Sequence, residues 1–100
     1  MIVKKHKTRD GRLILAVCDE ELVGKIFDEG EKHLDLSSNF YKGEKRTEEE
    51  VKNLLKMTHI INVAGKNSIN FILKKGIISK EEVDYTKKIP HTQVIILRDD

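Results

Sequence analysis

Apolar and polar positions change period several times along this chain, and each change marks an element. Ile2-Val3-Lys4-Lys5-His6-Lys7 reads as a strand. Asp10-Gly11 is a turn signal just ahead of Leu13-Ile14-Leu15-Ala16-Val17, so the opening predicts an antiparallel hairpin. The second run lacks alternation, as a strand covered on both faces or placed centrally does. With Asp19 as cap, Leu22, Val23, Ile26 and Phe27 follow at i, i+1, i+4 and i+5, which predicts a helix ended by Gly30. Lys32-His33-Leu34-Asp35-Leu36 alternates and predicts a short strand. Residues 37–46 read as a long loop.

The second half is punctuated more clearly. Thr47-Glu48-Glu49-Glu50 is a capping box, in which Thr47 accepts from the Glu50 N–H and Glu50 reaches back. Val51, Leu54, Leu55 and Thr58 then fall on one helical face. Ile60-Ile61-Asn62-Val63-Ala64 reads as a strand stopping at Gly65. Asn67 is placed to cap a helix that buries Ile69, Ile72 and Leu73 and closes at Gly76. Ser79-Lys80-Glu81-Glu82 is a second capping box opening a short helix through Val83. Pro90 breaks the chain, and Gln93-Val94-Ile95-Ile96-Leu97 is a final buried strand. The order β-β-α-β-α-β-α-α-β predicts an α+β two-layer sandwich, one mixed sheet with helices mainly on one face, in a single domain over 1–100.

Composition narrows the class. The 100 residues are 38% hydrophobic and 36% charged, with a net charge of +2. That balance fits a globular chain and demands neither a nucleic acid nor a membrane as partner. Charge is uneven locally: Lys4, Lys5, Lys7, Arg9 and Arg12 crowd the start, whereas Asp19, Glu20 and Glu21 follow the second strand. A lone cysteine excludes an internal disulfide and predicts an intracellular, cytoplasmic home. No apolar run reaches the roughly 18 residues of a membrane span, and the start has no signal-peptide core.

Cys18, at the end of an apolar strand and just before a predicted helix, is the first candidate for chemistry. A helix N-terminus lowers a thiol pKa, but Asp19, Glu20 and Glu21 oppose a second anion. The alternative is a small buried hydrophobe. Asp19 and His91 complete the weak catalytic candidates, with His91 held in direction by Pro90. A metal site is not expected, because the histidines are widely spaced and no second Cys exists. No cofactor is implied.

Gly65-Lys66-Asn67-Ser68 resembles the tail of a phosphate-binding loop between a strand and a helix. The full G-x-x-x-x-G-K-[ST] pattern fails: Ile60 stands at the first glycine and Asn67 at the hydroxyl position. What remains is a generic anion site at Gly65, Lys66 and Asn67, or simply a helix start. The Lys4, Lys5 and Lys7 cluster either grips phosphates or guards a sheet edge. Phe40-Tyr41-Lys42-Gly43 offers aromatic stacking beside a cation, or a plug at the core rim.

Leu15-Ala16-Val17-Cys18-Asp19 with Leu22 and Gly24, Phe40-Tyr41 with Gly43, Asn62-x-x-Gly65, and Pro90-His91-x-Gln93-Val94 together resemble the archaeal family known as domain of unknown function 424. The resemblance runs over nearly the whole chain. It implies an intracellular α+β protein of archaea and carries no activity. These motif positions coincide with the candidate sites, and a fold that gathers strand ends is expected to line one pocket with them. The leading expectation is a non-enzymatic module for RNA or a ribonucleoprotein. The alternatives are a small anionic-ligand protein or enzyme built on Cys18, Lys66 and His91, and a protein–protein adaptor.

Overall fold

Leu13–Cys18 is the strand around which the rest is arranged, and in the computed structural model, which describes residues 1–96, it lies inside a six-stranded sheet. The strands are β1 (Ile2–Lys7), β2 (Leu13–Cys18), β5 (Glu44–Lys45), β6 (Ile60–Ala64), β7 (Asp84–Thr86) and β8 (Ile89–Ile95), in the order β5-β1-β2-β6-β8-β7. A separate two-stranded sheet is formed by β3 (Ile26–Glu29) and β4 (Lys32–Asp35). The helices are α1 (Glu48–Leu55) and α2 (Lys66–Lys74). β2 and β6 run parallel and every other pairing is antiparallel, so the sheet is mixed and the class is α+β as expected.

Strand alternation sorts side chains onto two faces. Val3, Leu15, Val17, Ile61 and Val63 pack with Val51 and Leu55 of α1 and Ile69 and Ile72 of α2, so both helices share one face. Leu15, Val17, Ile61 and Ile72 have no exposure at all, and each contributes about 1.5–3 kcal/mol by leaving water. On the other face, Cys18 and Ala64 pack beneath Leu22, Leu34 and Leu36 in a smaller cluster. The β3–β4 ribbon therefore covers only one end of the second face.

The hairpin of β1 and β2, the Thr47–Glu50 capping box, β6 and the closure of α2 before Gly76 match the sequence reading. The helix expected after Asp19 does not form. Glu20–Leu22 makes one 3-10 turn, and the chain then extends into β3. Gly24 takes a left-handed φ of 94° and donates to the Leu36 carbonyl, while Leu36 donates to Lys25. Those bonds draw the segment onto its sequel at 32–36. Leu22 is buried but Ile26 is 52% exposed, so the apparent helical stripe is two strand positions and a turn. Gly30 is the turn of this ribbon rather than a helix end.

Three further differences concern the C-terminal half. Gly65, not Asn67, is the N-cap of α2. The Ser79–Glu82 box forms, but it encloses only a 3-10 turn over Lys80–Glu82. Pro90 lies inside β8 near its start, where the missing N–H is tolerated, and β7 precedes it across a turn at Lys87-Lys88. Leu97, the end of the expected final strand, falls outside the described residues.

Candidate functional site

The strand ends meet at Asp19. Parallel pairing sets Cys18 opposite Ala64, which brings Asp19 beside Gly65 at the start of α2. The first turn of a helix leaves N–H groups without intrahelical partners. Here the Asp19 carboxylate accepts from the backbone N–H of Asn67 at 3.1 Å and of Ser68 at 2.8 Å, and from the Ser68 hydroxyl at 2.6 Å. Gly65 has no side chain to cap with, and a methyl there would collide with the Asp19 carboxyl group. The anion expected at Gly65-Lys66-Asn67 is thus the chain's own Asp19, which is buried; Lys66 stands exposed beside it. Two backbone bonds complete the junction, Asp19 N–H to Ala64 and Gly65 N–H to Pro90.

Cys18 has no solvent exposure and packs against Leu22, Leu34, Leu36 and Ala64. Burial, with Asp19 and Glu21 adding, pushes its thiol up to about 12. Where a helix start was expected to favour the thiolate, desolvation and neighbouring carboxylates disfavour it. The geometry fits the reading as a small core residue.

The basic strand and the aromatic loop, far apart in sequence, are joined. Lys4 and His6 lie on the face opposite the helices, and Lys5 and Lys7 on the helix side. Lys4 Nζ donates to the Asn39 carbonyl at 2.8 Å. His6 Nε2 donates to the Phe40 carbonyl at 3.0 Å, and its ring stacks on Phe40 with centroids 4.4 Å apart and planes 5° from parallel. Phe40 meets Tyr41 edge-on, and Tyr41 packs into the cluster around Cys18, where burial raises its phenol to about 12. Gly43 passes so close to β1 that a Cβ would strike the Val3 carbonyl. Around that edge a groove of about 300 Å³ is lined by Lys4, Lys5, Lys42 and Arg46 with Leu54. Arg46 is held by Glu44 and Glu50, whereas among the described residues Lys5, Lys7 and Lys42 have no ion pair.

His91 opens instead on a small cleft of about 170 Å³ with Lys32, His33, Asp84 and Thr86. Its Nε2 lies 2.9 Å from the Thr86 hydroxyl, and burial lowers its pKa against the opposing pull of Asp84. His33, bonded to Asp28, is shifted the other way. No group of three or more His, Cys, Asp or Glu side chains among the described residues is arranged to hold a metal ion.

Beyond the ribbon the second face has its own order, its β1–β2 side lying under the turn at Asn39–Tyr41, where Ala16 is buried. By register, Lys4, Ala16, Asn62 and Gln93 form one row across β1, β2, β6 and β8, and His6, Ile14, Ile60 and Ile95 form the next. Cys18, Ala64 and His91 form a third row beneath the ribbon. The motif positions therefore gather at one face and one end of the sheet, but not in one pocket: Cys18 and Asp19 are interior, Pro90 turns toward the helices, and Phe40 lies over β1. Asn62 and Gln93 carried only motif weight in the sequence. Their signal is one amide in each of two strands, alone among apolar residues in Ile60–Ala64 and next to His91 and Thr92 in Ile89–Ile95.

The family model described as a protein of unknown function, DUF424, matches residues 6–97, and the chain belongs to that family. No curated protein matches the chain. A crystal structure of an uncharacterized conserved protein from Methanopyrus kandleri superposes with a TM-score of 0.78 at 23% identity, covering 99% of this chain and 94% of that one. That likeness shows the fold. Among the described residues no helix is long and apolar enough to cross a membrane.

Proposed function

We propose that this member of the family is a non-enzymatic RNA-binding module, cytoplasmic and archaeal, that takes single-stranded RNA along the β1 edge and the 39–43 loop. The observation that carries the reading is the His6–Phe40 stack on one side of β1, tied to Lys4 through the 39–43 loop, with the unpaired Lys5 and Lys42 in the groove along the same edge. Single-stranded nucleic acid is held by aromatic faces that stack on bases and cations that follow phosphates. Here the half-buried Phe40 supplies the aromatic face, and Lys5, Lys7 and Lys42 supply charge free of protein partners. Lys4 and His6 fix the loop in place, so the surface is formed before RNA arrives.

The small-anion reading has less support, since Asp19 takes the helix amides, Cys18 is interior, and Lys66 and His91 face different grooves. The adaptor reading has less to rest on, since among the described residues the exposed large apolar side chains are Ile26, Met57, Tyr85 and Ile95.

Labelled single-stranded and hairpin RNA titrated across a salt series tests the proposal. Single strands are expected to bind more tightly, with a log–log salt slope of about −2 for three phosphate contacts. Charge reversal at Lys5, Lys7 and Lys42 should remove binding while leaving the circular dichroism spectrum intact. No binding at low salt, or unchanged affinity in that variant, would overturn it.

A further inference from the structure

Phe27, Phe40, Tyr41 and Phe71 are buried or half-buried, whereas Tyr85 is 54% exposed. It stands opposite Pro90 in β7, at the far edge of the sheet from β1. Its ring borders a groove of about 370 Å³ between α2 and the turn at Lys80–Glu82. Ile69 and Pro90 are buried in the floor, and Lys66 and Lys80 stand exposed at the rim. No carboxylate lines the groove. Among the described residues the Lys66 and Lys80 ammonium groups, the Asn70 amide and the Tyr85 hydroxyl have no partner in the protein.

The groove therefore combines an apolar floor, an open aromatic face and two unneutralised cations. An exposed ring of this kind stacks on a planar base. Lysine acts on phosphate as a point charge and needs no fixed geometry to do so. A phosphate monoester carries nearly two negative charges at neutral pH, which matches two lysines better than a carboxylate does. The amides at the start of α2 add nothing here, because Asp19 holds them, so the anion must be held by side chains. The volume lies near the lower end of the range of about 300 to 1,000 Å³ that holds small molecules.

We propose that this groove binds a nucleoside monophosphate, free or as the phosphorylated end of an RNA strand, with the base against Tyr85 and the phosphate at Lys66 and Lys80. The site goes beyond the RNA-binding reading and does not rest on it, since β2, β6 and β8 lie between β1 and β7. It also differs from a site shared by Cys18, Lys66 and His91. The cysteine is interior, and His91 opens on the separate cleft that contains Asp84.

The test is a two-dimensional NMR titration of the full chain with adenosine monophosphate, adenosine, inorganic phosphate and a terminally phosphorylated RNA trinucleotide. The phosphorylated nucleotide should shift the Ile69, Asn70 and Tyr85 resonances saturably and bind several-fold more tightly than adenosine or phosphate. Tyr85→Phe should keep that affinity, and Tyr85→Leu should weaken it about tenfold through loss of stacking. Lys66→Gln combined with Lys80→Gln should bring the nucleotide down to the affinity of adenosine. Because these side chains are exposed, urea midpoints should stay near that of the wild type. Charge reversal at Lys5, Lys7 and Lys42 should leave nucleotide binding unchanged, which separates this site from RNA binding at the β1 edge. Tighter binding of the trinucleotide at the same resonances assigns the ligand to a strand end, and tighter binding of the monophosphate assigns it to the free nucleotide. No saturable shift with either phosphorylated ligand, equal affinity for inorganic phosphate, or unchanged affinity in Tyr85→Leu overturns the proposal.

Discussion

Asp19 Oδ1 receives two hydrogen bonds from Ser68, one from its backbone N–H at 2.8 Å and one from its hydroxyl at 2.6 Å, across 49 positions of sequence. A capping side chain usually belongs to the residue just before the helix. In this fold it comes from the neighbouring parallel strand, and Gly65 leaves the space for it.

Asp19→Ala should therefore destabilise the fold by about 3 kcal/mol, because it strands buried donors on Asn67 and Ser68 without a replacement acceptor. Asp19→Asn keeps one acceptor but turns an NH2 toward a second donor, and should cost about half as much. Urea denaturation of the two variants checks the order. A midpoint unchanged in Asp19→Ala would mean that the junction does not hold α2.

Gly65→Ala should destabilise by about 3 kcal/mol, since its φ of 106° is strained for any L side chain and the new methyl would meet the Asp19 carboxyl. Gly30→Ala is the control. Its φ is 61° with open space around it, so backbone strain alone should cost about 1 kcal/mol. Similar losses in both would show that steric contact with Asp19 is unimportant.

Cys18 should resist iodoacetamide at pH 8 in the native chain and react promptly in denaturant. Its thiol is raised to about 12 by burial first and by Asp19 and Glu21 next. A group whose folded pKa lies above its unfolded value stabilises the fold below the unfolded value and loses that contribution as pH climbs through the folded one. Stability should thus fall between about pH 9 and 12, the window set by the thiol's ordinary value and its raised one. Tyr41, also raised to about 12, acts over the upper part of that window. Rapid native labelling would show the thiol to be accessible.

His33 and His91 border one cleft, and in a two-dimensional NMR pH series their midpoints should be displaced in opposite directions from the ordinary histidine value. The hydrogen bond and charge of Asp28 raise His33, whereas burial lowers His91. The stability linked to His91 is present above the ordinary histidine pKa and fades as pH falls below it; that linked to His33 is present in acid and fades as pH rises. Coincident midpoints would show that the cleft does not distinguish them.

Elements with local punctuation were legible in the chain: the Asp10-Gly11 turn, the Thr47–Glu50 box and the glycine after α2 each act within a few residues. The segment after Asp19 misled because Leu22, Val23, Ile26 and Phe27 satisfy helical spacing, while what decides their conformation is pairing with 32–36 through Gly24 and Leu36. The Lys87-Lys88 turn was invisible for a related reason. Both residues take left-handed φ values of 51° and 66° without the glycine or asparagine that usually signals such a turn. Of the candidate sites, the basic strand and the Phe40 loop were found separately, and their contact through His6 was not. The role of Asp19 needed the parallel register of β2 and β6, which no local pattern specifies.

That register also bears on how the chain reaches its native state. The two central strands are neighbours in space but are separated by everything from Asp19 to His59, so their pairing must await the closure of a long loop. The β1–β2 hairpin and the β7–β8 hairpin can form early from nearby residues, each with an exposed flank seeking a partner. The late event is the docking of the two halves along β2 and β6, and the rate of folding should follow the entropy of that closure more than the strength of either hairpin.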